Sequence, residues 1–118
     1  MKKILILEPL LERGMRIRVM RDGSFAIECL LEHGQDIVVA LQKIKRGFAD
    51  MDAILLRERI GSFSASRSAL VVARVLSATR GVPLYIVDAN LETPDAVMAA
   101  IAQQRNTKFE YERPPNIT

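Results

Sequence analysis

The chain has 118 residues, 49% of them hydrophobic, and a formal net charge of +3, which fits one packed domain and only a mildly basic surface. A single cysteine and a single histidine exclude an internal disulfide, a cysteine-rich zinc site and a multi-histidine metal centre, so a reducing cytoplasm is the expected setting. No apolar run is both long and charge-free enough to cross a bilayer, and Glu8-Pro9 stops the first one before it could act as a signal-peptide core.

Residues 4–7, Ile-Leu-Ile-Leu, form a continuous apolar run, as in a strand buried on both faces. Met15, Ile17 and Val19 alternate with Arg16 and Arg18, and Phe25, Ile27 and Cys29 alternate with Ala26 and Glu28. These are two half-buried strands of period two, joined through Asp22-Gly23. A three-residue loop of Arg21, Asp22 and Gly23 pairs Val19 with Phe25, Ile17 with Ile27 and Met15 with Cys29, and sets Arg16 across from Glu28 on the outer face. The register that keeps one face apolar therefore predicts a left-handed Gly23 in a bulge.

The period then changes. Ile37, Leu41, Ile44 and Phe48 recur at helical spacing, with Val38 beside them and Gly47 as a stop. Residues 53–56 read as a buried strand, 64–80 as a helix ending at Gly81, and 83–87 as a third buried strand. Thr93 is placed to cap a last helix with Pro94 at its first position, and Val97, Met98 and Ile101 make its apolar stripe. The order β-β-β-α-β-α-β-α predicts an α/β domain with a mixed five-stranded sheet: an antiparallel meander first, then parallel strands joined by right-handed crossovers. The domain is read over residues 1–104, with a polar C-terminal tail over 105–118.

Three carboxylates, Glu8, Glu58 and Asp88, each follow a strand expected to be parallel, so they gather at the sheet edge where open α/β folds bind ligands. Three such groups could hold two Mg²⁺ ions for nuclease chemistry, although Arg57 and Arg59 flank Glu58 as ion-pair partners. Around Gly61, residues 58–64 hold too few glycines for a phosphate cradle; turning the chain and capping a helix through Ser62 or Ser64 is the simpler role. Arg13, Arg16, Arg18 and Arg21 read as a solvated basic face around the hairpin, open to phosphate contact but without interleaved aromatic residues. His33 has no relay partner near it, and Cys29 reads as a small core residue.

On the 64–80 helix, Ala65, Ala69, Val72, Ala73 and Leu76 share a face suited to packing on a sheet. The opposite face carries Arg67, Leu70, Val71, Arg74 and Ala78, with Val75 at its edge, where a surface helix should be polar. An apolar centre with an arginine rim is the composition of a partner surface.

Several local features resemble the TsaB (YeaZ) family. Gly61-Ser62-Phe63-Ser64 with Arg67 is similar to its Gly-Pro-Gly-Ser-Phe-Thr-Gly-x-Arg motif, Asp22-Gly23 to its Asn/Asp-Gly hairpin turn, and Glu32-His33 to the pair before its first helix. Tyr111-Glu112-Arg113-Pro114-Pro115 resembles the tail that closes many full-length members, and Glu8-Pro9 departs from the family's Asp-Thr. The resemblance implies a ribonuclease H-like (actin-like ATPase) domain, here shortened and without the usual second domain. It implies a non-catalytic subunit, without cofactor or metal, that binds a TsaD-like enzyme and supports threonylcarbamoyladenosine formation in tRNA. The contact residues it implies are Val39, Gln42, Arg67, Leu70, Val71, Arg74 and Ala78, with a homodimer through the same helices as the alternative and tRNA touched only indirectly or weakly. A metal-dependent nuclease using Glu8, Glu58 and Asp88, or a stand-alone nucleotide-binding domain, are the competing expectations.

Overall fold

A computed structural model describes residues 3–10, 14–31, 37–43, 50–57 and 63–107. Within them, five strands and three helices follow the expected order: β1 (Lys3–Pro9), β2 (Met15–Arg21), β3 (Ser24–Leu31), α1 (Ile37–Lys43), β4 (Ala53–Arg57), α2 (Phe63–Arg80), β5 (Leu84–Val87) and α3 (Pro94–Thr107). The strands form one sheet in the order β3-β2-β1-β4-β5. β2 is antiparallel to both β1 and β3, whereas β4 runs parallel to β1 and β5 parallel to β4.

β1 lies at the centre because its side chains are apolar on both faces. Leu5 and Leu7 point to one layer, with Met15, Ile17 and Val19 of β2, Ala40 and Leu41 of α1, and Ala69 and Ala73 of α2. Ile4 and Ile6 point to the other, with Leu91 and with Val97, Ala100 and Ile101 of α3. Each fully buried Leu or Ile contributes roughly 1.5–3 kcal/mol. On α3 the stripe is Val97, Ala100 and Ile101, spaced i, i+3, i+4, while Met98 is exposed; the sequence expectation had placed Met98 in the stripe.

Both inner helix ends are chemically defined. Thr93 Oγ1 accepts from the Ala96 amide at 3.1 Å, the expected N-cap of α3. α2 closes on Gly81, whose φ of +68° lets its amide reach the Ser77 carbonyl at 2.9 Å while the Val82 amide reaches the same oxygen at 3.2 Å.

The hairpin differs from the sequence expectation. Arg21 pairs with Ser24 across a two-residue turn in which Asp22 (φ 51°) and Gly23 (φ 86°) are both left-handed. Met20 pairs with Phe25 and Val19 with Ile27, so Ala26 is the extra residue of a bulge inside the ladder. The expected three-residue loop kept Ile27 and Cys29 on the apolar face, and the real hairpin does so too by moving the irregularity from the turn into β3. One consequence follows for Phe25. It faces the α3 layer beside Met20 instead of the layer of Val19.

Candidate functional site

Two surfaces stand apart from an ordinary packed domain. The first is the outer side of α1 and α2, which touch each other beside β3 and β1. Small residues let α2 sit closely on the sheet: Ala69 and Ala73 are completely covered, and Val72 and Leu76 pack at their flanks. On the far side Val71 is 60% exposed and Val75 55%, and Val39 of α1 is 47% exposed. Arg67, Arg74 and Ala78 are exposed on the same helix, and Gln42 on α1. Leu70 differs from its expected outward position. It follows the fully buried Ala69 in the chain and packs, half-buried, against the inner cluster.

The second is the carboxyl end of β1. Period two sends Glu8 to the same face as Ile4 and Ile6. Register sets Glu8 opposite Arg16 and Ile6 opposite Arg18 on β2, and Arg57 ends the parallel neighbour β4. Glu8 is 1% exposed. Its Oε1 accepts from Arg16 Nε at 3.0 Å, Arg16 Nη2 at 2.9 Å and Arg18 Nη2 at 3.0 Å. Its Oε2 accepts from Arg57 Nη1 at 3.1 Å. Arg16 Nη2 also donates to Glu92 Oε2 at 2.7 Å, and Arg18 Nη2 to the Leu91 carbonyl at 2.8 Å. The Arg18 guanidinium lies 4.3 Å from the centre of the Phe25 ring, a cation–π contact made available by the bulge at Ala26. Burial opposes the charge on Arg16, but the hydrogen bonds and charges of Glu92 and Glu8 outweigh it and raise its pKa. The Arg16 hydrogen bond lowers the pKa of Glu92 in return.

This arrangement corrects one expectation and recasts another. Arg16 and Arg18 are not a solvated basic face, since both turn inward to Glu8; Arg21 is exposed, and Arg13 lies outside the described residues. Of the three carboxylates of the competing nuclease reading, Glu8 is fully engaged by guanidinium groups, Glu58 lies outside the described residues, and Asp88 is exposed beyond β5. A Mg²⁺ ion would have to displace three arginines to use Glu8. Among the described residues no three His, Cys, Asp or Glu side chains are grouped to hold a metal ion. The 58–62 turn and His33 also lie outside the described residues, and Cys29 is half-buried against the core as expected. The ion cluster itself was legible only by registering β2 against β1, which sets Glu8 across from Arg16.

A central β1 flanked by antiparallel β2 and parallel β4, with helices on both faces, makes this an α/β domain of the ribonuclease H-like fold. Solved structures that share it are YeaZ from Pseudomonas aeruginosa, with a TM-score of 0.61 at 18% identity, and a protein of the same organism described as similar to peptidase YeaZ, with a TM-score of 0.58 at 20% identity. Each alignment covers 75% of this chain and 44% of the other, so the chain spans less than half the length of either. No protein-family model and no curated protein matches the sequence. No helix among the described residues is long and apolar enough to cross a membrane.

Proposed function

We propose that this chain is a non-catalytic, YeaZ-like (TsaB-like) docking subunit that binds a TsaD-like enzyme in the cytoplasm and supports threonylcarbamoyladenosine formation in tRNA. The observation that carries this reading is the exposure of Val71 and Val75 on α2 and of Val39 on the adjoining α1. Covering these three half-exposed valines would contribute roughly 2–4 kcal/mol, enough to anchor an interface whose rim is supplied by Arg67 and Arg74. Gln42 and Ala78 are exposed on the same two helices, and Leu70 is half-buried against the core. The subunit acts by association: it occupies the partner's helices and favours one arrangement of them. A homodimer through the same strip is the competing assembly, and tRNA is met only through the complex.

The test is capture of a purified TsaD-like protein by the tagged chain. Wild type retains it; Val71→Glu folds with unchanged circular dichroism and loses it at least about tenfold, since a charge cannot be covered by an apolar partner face. Equal capture by Val71→Glu would refute the helix assignment, and no capture by wild type would refute the partner.

A further inference from the structure

Among the described residues, the carboxyl end of β1 holds more donors than its carboxylates satisfy. Among the described residues, three guanidiniums face two carboxylates there, Glu8 and Glu92, and Glu92 is 55% exposed while Glu8 is sealed. The Nε groups of Arg18 and Arg57 are buried and have no hydrogen-bond partner among the described residues. Buried donors in folded proteins are nearly always paired, so two orphans in one cluster show that Glu8 occupies this arginine set without using all of its donors. Convergent arginines are the side-chain set that recognises planar or tetrahedral oxyanions.

We propose that Arg16, Arg18 and Arg57 form an oxyanion site that the chain fills with its own Glu8. The internal carboxylate is tethered to the central strand, so it cannot leave, and wild type refuses free carboxylate or phosphate at this place. Glu8→Ala removes the atoms of one acetate molecule and opens the site to small carboxylates and inorganic phosphate. The site is independent of the α1–α2 surface, so its test does not depend on any protein partner.

Thermal unfolding of the full chain is compared in sodium chloride, sodium acetate and sodium phosphate at matched ionic strength. Wild type is expected to keep the same Tm in all three to within about 1 °C once general salt effects are subtracted. Glu8→Ala should have a lower Tm in chloride and regain at least about 4 °C with rising acetate or phosphate. If it is unfolded in chloride, folding on addition of either anion supports the site. A Glu8→Ala chain that responds no more than wild type overturns the proposal. Should it stay unfolded in all three salts, Glu8→Gln decides: this variant keeps one acceptor oxygen and loses the charge. Its stabilisation by phosphate beyond wild type sustains the site, and the lack of it overturns the proposal.

Discussion

Arg18→Met probes whether a buried cation strengthens this fold or merely survives in it. Arg18 is 3% exposed. Methionine keeps most of the aliphatic stem, so packing is nearly preserved. Three interactions disappear: the bond to Glu8 Oε1, the bond to the Leu91 carbonyl, and the stacking on Phe25. Glu8 still accepts three hydrogen bonds from Arg16 and Arg57, so its carboxylate is not stranded. The Leu91 carbonyl loses its arginine donor, at a cost of about 1–3 kcal/mol. The charged bond adds about 1.5–3 kcal/mol and the ring contact about 0.5–2 kcal/mol. Against these stands relief from desolvating a guanidinium whose Nε has no partner among the described residues, roughly 1–3 kcal/mol. The net expectation is a loss of about 2–4 kcal/mol, rising for Arg18→Ala by ~2.4 kcal/mol for three further methylene equivalents. Urea unfolding followed by far-ultraviolet circular dichroism at about 25 °C measures it, with the m-value unchanged. Amides of 89–93 should exchange faster, because Arg18 ties that connection to the hairpin across 73 positions of sequence. Arg18→Met within ~0.5 kcal/mol of wild type would refute the reasoning, since desolvation would then cancel every contact.

Gly23→Ala should cost about 1–2 kcal/mol in the same urea assay, because its φ of +86° strains any residue with a Cβ even though space around it is open; an unchanged midpoint would contradict the turn assignment. Thr93→Ala removes the cap on the Ala96 amide and should cost about 1 kcal/mol, with Thr93→Ser recovering most of it. Glu92 has a pKa lowered by its hydrogen bond from Arg16, so its contribution is complete above the ordinary glutamate value of 4.5 and fades as the pH falls through the lowered folded value. The Tm gap between wild type and Glu92→Gln should therefore be widest near neutrality and close in acid; a gap that widens in acid would reverse the sign.

Most of the fold is written in periodicity. The runs at 4–7 and 53–56 are buried strands as expected, whereas the run at 83–87, also read as buried, supplies the border strand β5, half-buried except at Val87; the small residues Ala69 and Ala73 mark the side of α2 that meets the sheet. The hairpin register escaped because two solutions keep Ile27 and Cys29 inside, and they differ only in where the extra residue sits. Local pattern cannot separate a bulge at Gly23 from one at Ala26; the α3 layer decides, by accepting Phe25 beneath Arg18. The ion cluster escaped for a related reason. Arg16 and Arg18 look solvated when β2 is read alone, and become interior only when β1 supplies Glu8 opposite and Leu91 closes from above. Outward exposure of Val71 was legible from the helical wheel, whereas Leu70 needed the length of its side chain to be weighed against its angle.

β3 forms one border of the sheet, and its eight residues would offer a neighbouring chain a long row of main-chain groups. The extra residue at Ala26 breaks that row and twists it, and Glu28, which is exposed, sets a charge two positions on. The same irregularity that gives Arg18 its aromatic seat thus guards the border against fibrillar growth, so that trimming Ala26 would cost the protein solubility as well as stability.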